Sequence, residues 1–389
     1  MWLCHFANSE INNYFNTKVN ELAPWINNLI EIFNSNDDFE LHIVSPNYFN
    51  NKSVVIKLRN IEYHFYRRSF IWPNRLNYWV RIDERSNYNL VKRIVGRIIR
   101  KIQPDIIHLH GAENPIYSSA ILPLINKYKI LLTIQGFISL DPNQEDRTIK
   151  YRSRVETKII HKISNFGVRT NDTCNVIRSY NDNPKFYWHN YPMTKPLSIK
   201  LPNDINTEYD CVFFARLSPE NGIEDLLRAI HIVKKQKSDI SLVVIGHVQM
   251  DLDFLKQLCI ELNIQDNVEF KGFFASQHDA HKEVIKAKIK VLPTYYDVIP
   301  GTILECMYMG LPVIAYAVGA IPELNSERKS IILVERGSIT GLSNKIIQLL
   351  NDDELRNQIT EKGRITAKTN FDNQAIYNDI SSIYQKIAY

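Results

Sequence analysis

Short apolar runs alternate with amphipathic stretches along this chain, and the alternation predicts an α/β protein. In the first half, strands are predicted at WLCHF, FELHIV, PDIIHLHG, KILLTIQG, NFGVRT and KFYWHNYP, with a strand pair at SVVIKL and IEYHFYRR. Helical spacing of apolar residues predicts helices over residues 22–33, 89–102, 118–128 and 172–179. Strands and helices that alternate in this way build a parallel sheet with helices on both faces.

The same rhythm restarts after a break around residues 193–208, which are proline-containing and have no clear period. Beyond the break, strands are predicted at DCVFFA, ISLVVIG, NVEFKG, KIKVLPT, PVIAY and SIILVE, and helices over the last fifty residues. We therefore expect two doubly wound, Rossmann-like domains, residues 1–192 and 209–371, joined by a linker at 193–208. A final helix at about 372–389 is expected to pack back on the first domain.

Two such domains imply a cleft between them, and ligands of open α/β sheets bind at the carboxyl ends of the strands. Four loops follow predicted strands at such ends: HLHG, TIQG, FARL and the segment 293–305. We expect these four loops to contribute to one shared site.

The most informative stretch is residues 293–323, PTYYDVIPGTILECMYMGLPVIAYAVGAIPE. Its loop carries Asp297, and its helix is predicted to begin at Thr302 with Glu305 in the first turn. An uncapped helix N-terminus attracts anions, and Gly301 lets a ligand approach the backbone. Asp297 and Glu305 could accept hydrogen bonds from hydroxyl groups. By itself, however, the stretch is more typical of an ordinary βαβ connection.

A second loop, FARLSPENG, occupies residues 214–222 and places Arg216 at the end of a predicted strand. The planar guanidinium group bonds two oxygens at once and stays charged, so it suits a diphosphate. Considered alone, Arg216 is more typical of an exposed surface arginine in a turn.

Together these segments resemble the retaining glycosyltransferases of the GT-B fold, family 4. The resemblance rests on the spacing Arg-Leu-x4-Gly, then Asp297-x7-Glu305 and GLPVIA…GAIPE, where the family usually shows GRLxxxKG, E-x7-E and GxPVIASxxGGxPE. It covers most of residues 205–370, and PDIIHLHG is also similar to the family. The resemblance implies metal-independent transfer of a sugar, with retention, from a nucleotide sugar such as a UDP- or GDP-sugar, without a cofactor. It also implies a saccharide or lipid-linked acceptor in the synthesis of cell-surface polysaccharide or glycolipid.

The resemblance assigns six residues to the donor site: Arg216, Asn221, Asp297, Gly301, Thr302 and Glu305. It implies that Arg216 binds the diphosphate, that Asp297 contacts the donor sugar and that Glu305 accepts bonds from the ribose hydroxyls. The backbone at Gly301 and Thr302 would hold phosphate. Asn221 stands where the family normally has a lysine, and Asp297 stands in place of a glutamate with a longer reach.

On the acceptor side, Gln135 lies near the position where many family members have a histidine close to the sugar, and His110 belongs to the same layer. The candidate catalytic residues are Asp297, Arg216 and Gln135. The loop FANSEINNYFN lacks the paired glycines that many members use to approach phosphate. Two other functions stay open: a GT-B nucleotide-sugar epimerase, and a nucleotide-sugar-binding subunit that has lost catalysis.

The composition is that of a soluble globular protein, with 44% hydrophobic and 23% charged residues. Neither a signal peptide nor an apolar run long enough for a bilayer is evident in the sequence. The five cysteines are scattered and never form CxxC, so we expect reduced thiols in the cytoplasm. No metal-ligand cluster is expected.

Positive charge concentrates before residue 102 in a chain of net charge +5. Residues 63–101 are basic and rich in aromatic side chains. One expectation is that they bind an anionic membrane surface, which would make the protein peripheral on the inner face of the membrane. The alternative is that the apolar residues of 89–102 form the core face of an ordinary crossover helix. A nucleic-acid partner is not expected, because no RNA- or DNA-binding motif accompanies the charge.

Overall fold

In the computed structural model, which describes residues 1–19, 22–50, 52–68, 81–141, 143–194 and 207–389, the chain divides into two units. The first unit comprises Met1–Pro192 and Asn373–Tyr389, and the second comprises Met193–Asp372. Most of the expected linker at 193–208 lies outside the described residues, and Met193 itself packs in the core of the second unit.

The first unit contains an eight-stranded sheet. Its strands are β1 (Trp2–Leu3), β2 (Leu41–Pro46), β3 (Val54–Leu58), β4 (Ile61–Tyr66), β5 (Ile107–His110), β6 (Ile130–Thr133), β7 (Asn165–Val168) and β8 (Lys185–Trp188). Their order is β3-β4-β2-β1-β5-β6-β7-β8. Neighbouring strands are parallel except for β3, which pairs with β4 in antiparallel fashion, as expected for two strands joined by a tight turn.

In the part of the first unit that the structure describes, seven helices precede the last strand or lie between strands. They are α1 (Ser9–Phe15), α2 (Pro24–Asn34), α3 (Ile82–Arg85), α4 (Asn89–Ile102), α5 (Pro115–Ser118), α6 (Arg147–Lys162) and α7 (Asn171–Tyr180). The expected helix at 118–128 is wrong, because α5 ends at Ser118 and a short 3-10 turn, Ser119–Ile121, leads into Pro123. Proline has no N–H to continue a helix. Helix α6 was not anticipated.

The second unit contains a six-stranded parallel sheet. Its strands are β9 (Tyr209–Phe214), β10 (Leu242–Ile245), β11 (Val268–Gly272), β12 (Ala287–Leu292), β13 (Val313–Tyr316) and β14 (Ile332–Val334), in the order β11-β10-β9-β12-β13-β14. Its helices are α8 (Ile223–Lys234), α9 (Leu252–Glu261), α10 (Gln277–Val284), α11 (Gly301–Met309), α12 (Ile339–Asn351) and α13 (Asp353–Asn370). The predicted α/β fold with two Rossmann-like sheets is confirmed.

The last helix, α14 (Asn373–Ala388), belongs to the first unit. The indole N–H of Trp2 donates a hydrogen bond to the Tyr384 hydroxyl at 2.8 Å. The Tyr377 hydroxyl donates to Asp38 at 2.6 Å. These bonds tie the C-terminal helix to the rest of the first unit.

Helix α4 shows why the apolar spacing produces this packing. Val91, Val95 and Ile99, each four residues apart, are buried against the sheet of the first unit. Its basic residues Arg93 and Arg97 lie on the exposed side. The apolar face of α4 is therefore a core face, as the crossover-helix alternative expected. Among the described residues, no helix is long and apolar enough to cross a membrane.

Candidate functional site

The loops that follow β9 and β12 lie side by side, because these two strands are parallel neighbours at the centre of the second sheet. The Thr294 hydroxyl and the Tyr295 backbone N–H both donate hydrogen bonds to the Glu220 carbonyl, at 3.1 and 2.7 Å. Gly222 has a positive φ of 71°, and a Cβ there would lie 2.0 Å from the Pro293 carbonyl oxygen. Only glycine permits this close contact between the two loops.

Asn221 holds the first of these loops in shape. Its side chain is buried, its Nδ2 donates to the Arg216 carbonyl at 2.9 Å, and its Oδ1 accepts from Thr294 at 3.5 Å. The amide is therefore engaged with the protein itself. Arg216, in contrast, is exposed, and its guanidinium group pairs with none of the residues that the structure describes. Of these two predicted donor-site residues, Arg216 is the one whose charge is available to a ligand.

The loop that carries Asp297 is fixed by backbone contacts to the segment GAIPE. Gly319 has a positive φ of 50°, and a Cβ there would lie 1.8 Å from the Asp297 carbonyl oxygen. The Ala320 N–H donates to the Val298 carbonyl at 3.2 Å. Asp297 itself is half-buried. The glycine of GAIPE thus has a structural role: it lets the Asp297 loop approach closely.

A carboxylate on α8 anchors the same loop from its other side. Asp225 accepts hydrogen bonds from the hydroxyls of Tyr295 and Tyr316, both at 2.7 Å. Tyr295 belongs to the loop after β12, and Tyr316 ends β13. The Asp297 loop is therefore held by α8, by β13 and by the backbone of GAIPE.

Helix α11 begins at Gly301, directly after this loop, and its N-terminus is open. No side chain caps it and its first turn contains no acidic residue. Gly301 is exposed, and a Cβ placed on it would meet only Glu305 Oε1, at 3.9 Å. The helix begins one residue earlier than expected, so Glu305 lies in the second turn and not in the first. Uncapped N–H groups and the helix dipole at such an end attract anions.

Glu305 is held in place by two side chains from α10. The carboxylate is 6% exposed, and its Oε2 accepts hydrogen bonds from Gln277 Nε2 at 2.8 Å and from His281 Nε2 at 2.9 Å. No described residue bonds Oε1. Gln277 and His281 were not predicted as site residues, and no local motif in the sequence indicates them, because only the packing of α10 against α11 brings them to Glu305.

Lys290 of β12 lies fully buried beneath the site. Its ammonium group donates to the Phe214 carbonyl at the end of β9 and lies 5.4 Å from the Phe214 ring centroid. Burial lowers the pKa of Lys290 to about 8, although Cys306 and Glu305 oppose the shift. The lysine therefore ties β12 to the strand end from which the Arg216 loop departs.

In the first unit, the predicted residues His110 and Gln135 come together around Tyr191. His110 is buried, its Nδ1 lies 2.6 Å from the Tyr191 hydroxyl, and burial lowers its pKa well below the usual range. The Gln135 side chain lies beside the same hydroxyl. The Nε2 atoms of His110 and Gln135 are both buried without a partner among the described residues. Two polar groups at neighbouring strand ends are thus left unsatisfied.

Contrary to the expectation that no metal-ligand cluster exists, the structure brings His42, Glu62 and His64 together in the first unit. These residues lie on β2 and β4, near the ends opposite to those that carry His110 and Gln135.

Two families match this chain. Residues 199–366 match "Glycosyl transferases group 1" and residues 29–163 match "Glycosyl transferase 4-like". The chain is 23% identical to the N-acetyl-alpha-D-glucosaminyl L-malate synthase of Bacillus anthracis over 85% of its own length and 90% of that protein. It is 24% identical to the capsular polysaccharide biosynthesis glycosyltransferase CapM of Staphylococcus aureus, over 46% of its own length and 47% of that protein.

Solved structures show the same fold. Sucrose-phosphate synthase from Thermosynechococcus elongatus superposes with a TM-score of 0.76 at 18% identity, covering 94% of this chain and 92% of the other. Anabaena HepE in complex with UDP-glucose superposes with a TM-score of 0.69 at 18% identity, covering 95% and 98%. The two Rossmann-like units and the matched families make this chain a glycosyltransferase with the GT-B fold. Within that class it is of the family 4 type.

Proposed function

We propose that this protein transfers a sugar from a nucleotide sugar to a saccharide or lipid-linked acceptor in the synthesis of cell-surface polysaccharide or glycolipid. The observation that carries the proposal is the open N-terminus of α11, with the rigidly held carboxylate of Glu305 beside it. HepE, which has the same fold, was solved with UDP-glucose, and CapM is a capsular polysaccharide glycosyltransferase, which agrees with this proposal.

The donor's diphosphate binds the N–H groups of Gly301 and Thr302 and the guanidinium group of Arg216. Charge grows on the diphosphate as it leaves, so groups fixed in advance at this position stabilise the transition state more than the ground state. The helix end contributes typically about 0.3–1 kcal/mol, and up to ~2 kcal/mol when partly buried. Arg216 adds a bidentate, charge-assisted pair of hydrogen bonds.

Glu305 recognises the ribose of the donor. Gln277 and His281 occupy its Oε2, which leaves Oε1 to accept hydrogen bonds from hydroxyl groups. Because both bonds come from one helix, the carboxylate loses little further freedom when a ligand binds. Asp297, on the loop braced by Gly319, contacts the donor sugar. The nitrogens of His110 and Gln135 that lack partners among the described residues lie in the first unit and are assigned to the acceptor.

Transfer proceeds with retention and without a metal ion in the step itself. The acceptor oxygen attacks the anomeric carbon from the face that the diphosphate leaves. The new carbon–oxygen bond forms as the bond to the diphosphate oxygen breaks, and that oxygen takes the acceptor proton. Retention is tested by NMR, from the coupling constants at the anomeric centre of the product that forms first. Metal independence is tested by turnover in the presence of a chelator, which is expected to persist.

A panel of nucleotide sugars identifies the donor by thermal shift, because a ligand that binds the folded state raises the unfolding temperature. With that donor, Arg216→Ala is expected to lower kcat by about 10²–10³-fold, the usual range for removing one transition-state donor. Arg228→Ala, which removes another exposed arginine of the second unit, serves as the matched control. Equal turnover in the two variants would refute the assignment of Arg216.

The same assays separate the two other functions. Conversion of the free nucleotide sugar into an epimer without any acceptor would identify an epimerase. Tight donor binding with neither hydrolysis nor transfer would identify a binding subunit. Asn221, in place of the family's lysine, and Asp297, in place of its glutamate, are the sequence features that favour the second alternative. The amide of Asn221 is engaged by the Arg216 carbonyl and the Thr294 hydroxyl.

We further propose that residues 63–101 bring the protein to an anionic membrane surface on the cytoplasmic side, where a lipid-linked acceptor lies. Residues 69–80 of this stretch are outside the described residues. In the described part, Arg93, Arg97 and Arg100 are exposed along α4, while the apolar face of α4 is buried. Contact with lipid is therefore electrostatic and should weaken as salt rises.

Co-sedimentation with vesicles tests this proposal. Vesicles that contain phosphatidylglycerol are expected to bind the protein, and pure phosphatidylcholine vesicles are not. Replacing Arg93, Arg97 and Arg100 by glutamine should reduce binding, whereas Arg228→Gln should not. Unchanged binding of the triple variant would refute the role of α4.

A further inference from the structure

Three side chains of types that bind metals converge on one face of the first sheet, away from the residues assigned to sugar transfer. In the parallel pairing of β2 and β4, His42 lies opposite Glu62. His64 follows Glu62 by two residues along β4, so all three side chains point to the same face of the sheet. They are His42, near the start of β2, and Glu62 and His64 on β4.

The three ligand atoms form a compact triangle. His42 Nδ1 lies 3.1 Å from His64 Nε2, His64 Nε2 lies 2.9 Å from Glu62 Oε1, and His42 Nδ1 lies 3.7 Å from the same oxygen. Ligand atoms of tetrahedral zinc, bound at about 2.0–2.2 Å, lie about 3.3 Å apart. A point about 2.1 Å from all three atoms therefore exists just off the plane of the triangle.

Hydrogen bonds alone do not satisfy this triangle well. His64 Nε2 carries either one hydrogen or one lone pair. It therefore forms at most one linear hydrogen bond, although it has two close neighbours, His42 Nδ1 and Glu62 Oε1. A cation in the centre accepts a lone pair from each of the three atoms at once.

The surroundings hold one imidazole in the protein interior and orient the other. His64 is buried, with 4% of its surface exposed, so its ring is held in the interior beside Glu62 and His42. The second ring nitrogen of His42, Nε2, lies 3.3 Å from Glu40 Oε1. A carboxylate that receives the outer N–H of a histidine is the usual support of a metal-bound imidazole. Glu40 and His42 also line a cavity of about 610 Å³, which gives an ion access from solvent.

We propose that His42, Glu62 and His64 bind one Zn²⁺ ion, with water as the fourth ligand. Two imidazole nitrogens and one carboxylate oxygen are common zinc ligands. Mg²⁺ and Ca²⁺ favour sites made of oxygen ligands only, so this set should bind zinc more tightly than either of them. The ion joins β2 to β4 and stabilises the first unit. This site is independent of the proposed function, because the transfer step uses none of its residues.

The test uses the 389-residue chain stripped of metal with a chelator. After dialysis against Zn²⁺ and removal of excess metal, elemental analysis is expected to give one equivalent per chain. Zn²⁺ should raise the unfolding temperature, whereas Mg²⁺ and Ca²⁺ should not. Co²⁺ in place of Zn²⁺ should produce the intense visible absorption of a four-coordinate site.

His42→Ala and Glu62→Gln should each abolish stoichiometric uptake and the thermal shift. Glu62→Gln keeps the size of the side chain, so it separates loss of metal from loss of fold, which circular dichroism checks. His161→Ala removes an exposed histidine of the same unit and should leave uptake unchanged. Uptake that is absent from the wild type, or equal in all four proteins, would overturn the proposal. Donor binding by the folded variants is measured alongside and is expected to persist.

Discussion

His281 and Glu305 lie on different helices and 24 residues apart, yet His281 Nε2 is 2.9 Å from Glu305 Oε2. Both side chains are buried, with His281 only 1% exposed. Because a buried carboxylate needs partners to remain in place, His281 and Gln277 determine where the free oxygen of Glu305 points. The orientation of Glu305, the proposed ribose-binding residue, is thus determined by residues outside the 293–323 stretch that contains it.

His281→Ala is expected to weaken donor binding and to destabilise the protein by about 1–3 kcal/mol, because it leaves a buried acceptor with one partner fewer. Calorimetry with the donor and chemical denaturation measure the two effects. His281→Gln, which keeps an N–H donor, should restore part of the affinity. Lys282→Ala changes an exposed residue of the same helix and is the matched control. Donor affinity unchanged by His281→Ala would contradict the positioning role.

Gly319→Ala is expected to displace the Asp297 loop. The added Cβ would lie 1.8 Å from the Asp297 carbonyl oxygen, at a positive φ that alanine disfavours. We expect a loss of more than about 1 kcal/mol of stability and a clear loss of turnover. Gly96→Ala, on α4 with no atom within 4 Å of its Cβ, should instead stabilise slightly, by about 0.5–1 kcal/mol. If both variants behave alike in thermal unfolding and transfer assays, the described contact is wrong.

The buried histidines of the first unit should make stability fall at acid pH. His189 Nε2 lies 2.9 Å from the Thr133 hydroxyl, and burial lowers the pKa of His189 from 6.5 to about 4. Between these two pH values the unfolded chain binds more protons than the folded one, so the unfolding free energy decreases as pH falls through this window. The contribution of one such histidine is up to about 1.4 kcal/mol per pH unit.

Replacement of His189 by glutamine tests this dependence. Denaturation measured from pH 7 to pH 4 should show a shallower slope for His189→Gln than for the wild type. His161→Gln, at an exposed position, should keep the wild-type slope. A slope that is the same in all three proteins would show that His189 titrates normally.

Buried Lys290 predicts that stability also depends on pH in the alkaline range. Burial lowers its pKa from 10.5 to about 8, so between these values the unfolded chain holds the extra proton and the unfolding free energy rises with pH. Lys290→Met removes up to about 1.4 kcal/mol per pH unit from that slope. Denaturation between pH 8 and pH 10.5 measures the difference, with exposed Lys235→Met as the control. A Lys290→Met slope equal to that of the control would mean that Lys290 is charged throughout.

The sequence determined the fold class, every strand of the described residues and the segments that carry the proposed donor site. Apolar runs of strand length and four-residue helical spacing report burial locally, as in α4, where Val91, Val95 and Ile99 are buried. The local pattern failed at 118–128, where a 3-10 turn, Ser119–Ile121, and then Pro123 stand in place of the helix that apolar spacing had indicated.

Only the tertiary structure decided which distant side chains meet. Packing of α10 against α11 brings His281 to Glu305, and the parallel register of β2 and β4 brings His42 to Glu62 and His64. The spacing of apolar and polar residues predicts neither contact, because each depends on how two elements far apart in the chain pack or pair. Composition and spacing describe each element's own faces, whereas a site is formed where the faces of different elements meet.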